Sequence, residues 1–360
     1  MHDLSGDLKA VVLCAGEGTR LRPLTFSKPK HLLPVAGKPL LGHVLDALVA
    51  AGLREVGLVV GYLAEAVQSY VGNGEQWGLT ATYIPQEQPL GLGHAIKQAE
   101  SFVDGAPFVV YLGDNLLGDG ITPFVDDFRA GGCDAALLLK DVDDPRRYGV
   151  AVLDEQQHVT RLVEKPRVPP SKLAIVGVYA FQPVIFEAID SIQPSARGEL
   201  EITDAIQYLV DQGRPVRAAQ VEGFWEDAGE PSALLVANRY YLDRSVGQIN
   251  VPLGPNCEVT GAVHVGPGTR ITNTALHGPC LIGSNCRIDG CTIGPYASIA
   301  DGCDIEGSRV EDSIIQPKCQ IAGTALQHSV LGEKVHIGGG RGLDCPLHMV
   351  LGDMAQIRML

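Results

Sequence analysis

The stretch Leu8–Pro34 reads LKAVVLCAGEGTRLRPLTFSKPKHLLP, and it sets the kind of fold to expect. Ala10-Val11-Val12-Leu13 is a short apolar run of the kind that forms a buried strand. It ends in a turn of small residues, Cys14-Ala15-Gly16-Glu17-Gly18-Thr19, followed by Arg20-Leu21-Arg22-Pro23. Two glycines and an alanine let backbone N–H groups converge on a bulky anion, because no side chain blocks the approach. Arg20, Arg22, Lys28 and Lys30 bring cations to the same neighbourhood. The pattern points to a polyphosphate site. A dinucleotide fingerprint would need a third glycine where Leu21 stands, and a P-loop would need a lysine after Gly18. The plainer alternative is a tight turn with basic residues on the surface.

Outward from this loop, apolar strands alternate with helical patterns. Strands are predicted at Lys9–Leu13, Val56–Val60, Thr80–Ile84 and Pro107–Leu112, with helices at Leu40–Ala51, Leu63–Val71 and Gly91–Phe102. Such alternation implies a mostly parallel sheet flanked by helices, with ligands beyond the carboxyl ends of the strands. The opening loop and Gly113-Asp114-Asn115 both follow strands, so both fall on that rim. From Cys133 to Phe181 the pattern turns strand-rich, with runs at Ala135–Leu139, Tyr148–Leu153, His158–Val163 and Leu173–Phe181. Helices follow at Pro183–Ile192 and Leu200–Gln212, then a strand at Val216–Gln220 and a closing helix at Pro231–Leu242.

After about Gly247 branched residues recur six apart, as in Val265 and Ile271, Ile282 and Ile288, Ile299 and Ile305, Ile315 and Ile321, Leu331 and Ile337. This is a hexapeptide repeat, the signature of a β-solenoid with three short strands per coil. The spacing from Ile288 to Ile293 breaks the six, and an irregular coil or loop is expected there. Cys257, Cys280, Cys286, Cys291, Cys303, Cys319 and Cys345 each stand two positions before a Val, Ile or Leu. Packing of a small residue into a coil corner explains them better than metal or disulfide chemistry. Two domains are expected, 1–246 and 247–360.

The composition suits a globular chain: 360 residues, 45% hydrophobic, net charge −14. That charge argues against non-specific nucleic-acid binding, which needs Lys and Arg against phosphates. No apolar run reaches the length of a membrane span, and MHDLSGDLKAVV has no secretory core, so a cytoplasmic location is expected.

The opening stretch, G-x-G-T-R-L-x-P-x-T followed by K-P-K-x-L-L-P, resembles the sugar-1-phosphate nucleotidyltransferases. Further matching segments follow in family order: Tyr83–Ala95 (YIPQEQPLGLGHA), Val109–Asn115 (VVYLGDN), Val163–Pro166 (VEKP), Arg197–Asp204 (RGELEITD) and Trp225–Gly229 (WEDAG). The chain most resembles their long glucose-1-phosphate thymidylyltransferase form, whose catalytic α/β domain with a Rossmann-like sheet precedes a left-handed parallel β-helix. The resemblance implies attack of a sugar-1-phosphate oxygen on the α-phosphorus of a pyrimidine triphosphate, dTTP or UTP, with loss of pyrophosphate. The nucleophile is already an anion, so the chemistry needs positioning and charge stabilisation rather than a general base.

By the same resemblance, Leu13 and the loop Ala15, Gly16, Gly18 and Thr19 bind the triphosphate. Arg20 and Lys30 hold its phosphates, with Lys28 as the competing lysine. Asp114 and Asp227 hold Mg²⁺. Gln86 and Gly91 read the base, a Gln amide matching the O4/N3–H edge that thymine and uracil share. Tyr148, Gly149, Glu164, Lys165, Ile175 and Arg197 form the sugar-phosphate pocket, with glucose-1-phosphate the expected sugar. His94 reads as a helix cap or packing residue. A homo-oligomer is expected, because a solenoid has long faces to cover. Two other readings stay open: a non-catalytic regulatory subunit of the same fold, and a bifunctional enzyme with an acyltransferase site using one of His264, His277, His328, His336 or His348.

Overall fold

The structure is a computed structural model and describes residues 8–339, 343 and 345–359. The chain divides into two compact units. One comprises residues up to Glu17 and Leu41–Asp227, and the other Gly18–Leu40 and Ala228–Leu360. The second unit therefore takes in most of the Arg- and Lys-bearing stretch that follows the first strand.

The first unit is built on a nine-stranded sheet. Its middle is parallel: Lys9–Cys14 lies between Phe108–Leu112 and Glu55–Val60, and Glu55–Val60 pairs onward with Thr80–Pro85. Val11, Val12, Val59 and Val110 are fully buried, as expected of strands covered on both faces. The long strand Leu173–Phe181 runs antiparallel to Phe108–Leu112 and carries the strand-rich region. Val216–Gln220 joins Ala135–Asp141 in parallel. The predicted elements are present with small changes at their ends. The helix expected over Gly91–Phe102 is two pieces, Leu92–Gln98 and Glu100–Val103, joined at Ala99. A further helix, Thr122–Arg129, has Pro in its first turn and buries Phe124, Val125 and Phe128.

In the second unit, short strands stack into three parallel sheets of seven, five and six strands, the walls of a left-handed β-helix. Inward aliphatics form continuous columns. Val265, Ile282, Ile299, Ile315 and Leu331 form one, Ile271, Ile288, Ile305, Ile321 and Ile337 a second, and Leu276, Ile293, Val310 and Leu326 a third. The third column corrects the expectation of a loop between Ile288 and Ile293. The five-residue step recurs in every coil from Ile271 to Leu326, and the steps from Val310 to Ile315 and from Leu326 to Leu331 are also five, so a five-residue side is a regular part of the coil. Each column buries its members to 2% exposure or less, which is what holds coils of such short strands together.

Cys280, Cys286, Cys291, Cys303 and Cys319 are buried and free. The thiols of Cys286, Cys291, Cys303 and Cys319 donate to backbone carbonyls, Cys303 Sγ to Gln316 O at 3.4 Å and Cys319 Sγ to Gly332 O at 3.1 Å. The packing explanation therefore holds for these five. Cys257 is only half-buried, and Cys345 is exposed and does not occupy a core slot.

Candidate active site

The turn after the first strand straddles the division between the units, and its two halves are held differently. Leu13 is buried at the end of its strand, and its carbonyl accepts Gly113 N–H at 3.0 Å. This bond ties the opening turn to the Gly113–Asn115 turn. Ala15 is packed by Gly61, where a Cβ would come within 3.1 Å of Ala15 Cβ and 3.2 Å of Gln86 O. Gly61 was not singled out from sequence. Its only signal there is a glycine at the end of the Glu55–Val60 strand.

In the second unit, Gly18 has φ +66°, the left-handed region that favours glycine. A Cβ at Gly18 would lie 3.0 Å from Lys30 Cβ, and Thr25 Oγ1 donates to Gly18 O at 2.8 Å. The glycine turn and the stem of Lys30 are thus packed together. Lys28 is used otherwise. Its Nζ donates to Gln316 Oε1 at 2.7 Å and is ion-paired with Glu333, both on the solenoid. Ser27 Oγ donates to Asp353 Oδ2 at 2.7 Å, and Ala36 N–H to Asn238 Oδ1 at 2.9 Å. Between the competing lysines, the structure commits Lys28 to anchoring the segment and sets Lys30 against the glycine turn. Arg20 is half-exposed and 3.9 Å from Glu230 Oε1, a contact of small energy at that exposure.

In the first unit, Trp225–Asp227 pairs antiparallel with Asn115–Leu117, and the register sets Asp227 opposite Asn115. Asp114, 6% exposed, is the next residue along. A two-stranded ladder therefore sets Asp227 one register position from Asp114, across more than a hundred residues of chain. Asn115 Nδ2 donates to Asp114 Oδ1 at 3.2 Å, and Trp225 Nε1 donates to Asn115 Oδ1 at 2.8 Å. These bonds orient Asp114 from both strands. Gly177, φ +74°, lets the long strand pass close by, since a Cβ there would be 2.7 Å from Leu112 Cδ1 and 3.2 Å from Asn115 Cγ. Burial, and then the neighbouring Asp227, push the Glu226 carboxyl up to about 7. Among the described residues no three His, Cys, Asp or Glu side chains cluster as a metal cage. Two carboxylates with remaining positions open suit a hard cation that keeps waters and takes substrate phosphates.

A cavity of about 580 Å³ opens beside the first turn, lined by Ala15, Gly61, Tyr83, Pro85, Gln86 and Pro89 among others. Gln86 is 7% exposed, and its Nε2 lies 2.8 Å from His94 Nδ1. His94 is therefore not a cap. Gly91, without a side chain to cap, begins that helix, and His94 reaches Gln86 and Gln98 instead. Gly91, φ +106°, and Gly93 lie against the Leu200 backbone, where a Cβ on either would fall within 2.9 Å of Leu200 O.

The expected sugar pocket is assembled from three strands and a helix. A Cβ on Gly149 would meet Thr203 Cγ2 at 2.7 Å, Ile175 Cδ1 at 2.9 Å and Glu164 Oε2 at 3.2 Å, so glycine is what lets these groups converge. Thr203 Oγ1 donates to Glu164 Oε2 at 3.2 Å. Lys165, φ +40°, donates its N–H to Tyr148 O at 3.0 Å, and its Nζ is 3.4 Å from Glu164 Oε1. Tyr148 stacks edge-on against Trp225 at 5.0 Å between ring centroids, which links this pocket to the carboxylate ladder. Arg197 pairs with Glu201 at 2.8 Å, Glu164 at 3.3 Å and Glu199 at 3.5 Å, so its guanidinium orders carboxylates here. Of the solenoid histidines, His328 is 3.0 Å from Asp312 and stacked on His348, and Arg239 is paired with the same Asp312.

The nucleotidyl transferase family profile matches residues 9–244. A glucose-1-phosphate thymidylyltransferase from Streptomyces antibioticus is 43% identical over 98% of this chain and 99% of its own length. One from Streptomyces griseus is 40% identical over the same shares. A crystal structure of UDP-glucose pyrophosphorylase complexed with UDP-glucose superposes with a TM-score of 0.62 at 27% identity, over 67% of this chain and 100% of that one.

Proposed function

The chain belongs to the nucleotidyl transferase family, and from that premise we propose that it transfers a nucleotidyl group from dTTP or UTP to glucose-1-phosphate. The sugar-phosphate oxygen attacks the α-phosphorus in line, the bond to the β-phosphate oxygen breaks, and pyrophosphate leaves. The observation that carries this reading is the carboxylate ladder, with buried Asp114 beside Asn115 and Asp227 directly across from it. Full-length similarity to thymidylyltransferases supports the choice of substrates, and the UDP-glucose complex of a more distant relative keeps uridine within reach.

Asp114 and Asp227 are the residues that would hold Mg²⁺, which would neutralise charge building on the phosphoryl oxygens. Backbone N–H groups of Ala15–Thr19 and the side chains of Arg20 and Lys30 bind the triphosphate. Gln86 and Gly91 take the base. Glu164 accepts sugar hydroxyls, held in place by Thr203, and Lys165 pairs with the sugar phosphate. Tyr148, Gly149 and Ile175 shape that pocket.

The test is a matrix of nucleoside triphosphates against sugar-1-phosphates with Mg²⁺, read as pyrophosphate release by the full-length protein. The reading predicts turnover for a pyrimidine triphosphate with glucose-1-phosphate. No release with any pyrimidine triphosphate and sugar phosphate would reject it.

A further inference from the structure

Gln86, which lines the cavity beside Ala15, forms a hydrogen-bonded trio with His94 and Gln98. Gln86 Nε2 lies 2.8 Å from His94 Nδ1, and Gln98 Nε2 lies 3.3 Å from His94 Nε2, so an amide nitrogen faces each ring nitrogen as placed. A neutral imidazole has one N–H and one lone pair, so one nitrogen donates and the other accepts. Two arrangements satisfy all three residues. In one, Gln86 Nε2–H donates to His94 Nδ1, and His94 Nε2–H donates to the Gln98 amide oxygen. In the other, His94 Nδ1–H donates to the Gln86 oxygen, and the Gln98 amide N–H donates to His94 Nε2. With an amide nitrogen at both ring nitrogens, one amide must turn over; keeping the shorter contact, on Gln86, turns Gln98 and leaves the first arrangement.

The choice has a chemical consequence at the cavity. In the first arrangement the Gln86 amide nitrogen lies on the His94 side with one N–H still to give, and its oxygen lies on the other side. For a base held with its 4-position toward that N–H, this order of donor and acceptor matches the 4-oxo group and N3–H of uracil or thymine. It opposes cytosine, which presents a 4-amino donor and an N3 acceptor at the same two places. Reversing the amide would reverse the preference.

We propose that His94 is a positioning residue that determines base specificity, fixing the Gln86 amide so that the cavity accepts uracil or thymine and rejects cytosine. The inference rests on the reading that this cavity takes the base. Discrimination then comes from leaving polar groups mispaired in the wrong complex.

The test compares dTTP with dCTP, each with glucose-1-phosphate, in full-length wild type, His94→Phe and Gln86→Leu. In folded His94→Phe the dTTP:dCTP ratio of kcat/KM should fall by about tenfold or more, carried mainly by KM. An unchanged ratio in His94→Phe, with discrimination lost in Gln86→Leu, overturns the role of His94 alone. An unchanged ratio in Gln86→Leu removes the base-reading premise and the inference with it. A second measurement needs no substrate. In full-length protein labelled with ¹⁵N-histidine, at about pH 8, the ring shifts of His94 should report the Nε2–H tautomer. The Nδ1–H tautomer would overturn the proposal.

Discussion

The two compact units hold the proposed site residues by different means. In the first, Gln86, Asp114, Glu164 and Asp227 stand at or just beyond the ends of strands, and each is oriented by a neighbour on another element. His94 serves Gln86, Asn115 serves Asp114, Thr203 serves Glu164, and the register with Asn115 sets Asp227. In the second, Arg20 and Lys30 ride on a segment with almost no regular structure, three 3₁₀ turns and a two-residue hairpin. Turns that short do not hold themselves. The segment is instead pinned to the solenoid and the last helix through Lys28, Ser27 and Ala36. The β-helix thus anchors the cation-bearing segment.

Predictions that sharpen this contrast start with the rim. Asp114→Asn and Asp227→Asn should each lower kcat by roughly 10²–10³-fold while far-UV circular dichroism and the melting profile stay native. A near-native rate would show that the carboxylate ladder is not the metal site. Arg20→Ala should cost less, about 10–100-fold in kcat/KM for the triphosphate, because its present contact with Glu230 is a loose one. A shift in base preference without a loss of rate would contradict that role. Glu333→Ala leaves the partly buried Lys28 without its ion pair and should destabilise the second unit by about 1–2 kcal/mol, read as a lower melting temperature. Hydrogen exchange should rise over residues 18–33 and not over 108–117. Equal loss of protection in both stretches would erase the distinction between the two modes of support.

The strands and helices of the first unit were legible because their apolar runs and punctuating glycines follow simple periods. Gln86, Asp114, Glu164 and Asp227 could be named through motifs lying in family order. What sequence could not give was pairing. Nothing in Phe224-Trp225-Glu226-Asp227 says that Trp225 will bond Asn115, since sheet register is set by packing between distant segments. The role of Gly61 was hidden for the same reason, its neighbours Ala15 and Gln86 being remote in the chain. Of the two readings of His94, cap or packing residue, the cap fails because Gly91 begins the helix and the side chain reaches Gln86 and Gln98. In the solenoid the six-residue period drew the eye, and the recurring five-residue step looked like an interruption although it is part of every coil from Ile271 to Leu326. Lys28 and Lys30, two apart in one motif, could be ranked only through the family resemblance, whereas the partners Gln316 and Glu333 of Lys28 lie far along the chain, beyond what the motif shows.

That pair of lysines allows the most direct measurement. Pyrophosphate release with Mg²⁺, dTTP and glucose-1-phosphate would be followed in Lys30→Ala and Lys28→Ala, beside hydrogen exchange over residues 18–33 in the same proteins. The account predicts that Lys30→Ala loses about tenfold or more in rate with exchange unchanged, and that Lys28→Ala raises exchange first and slows turnover only as a consequence. A Lys28→Ala variant with native exchange and a larger loss of rate than Lys30→Ala would contradict it.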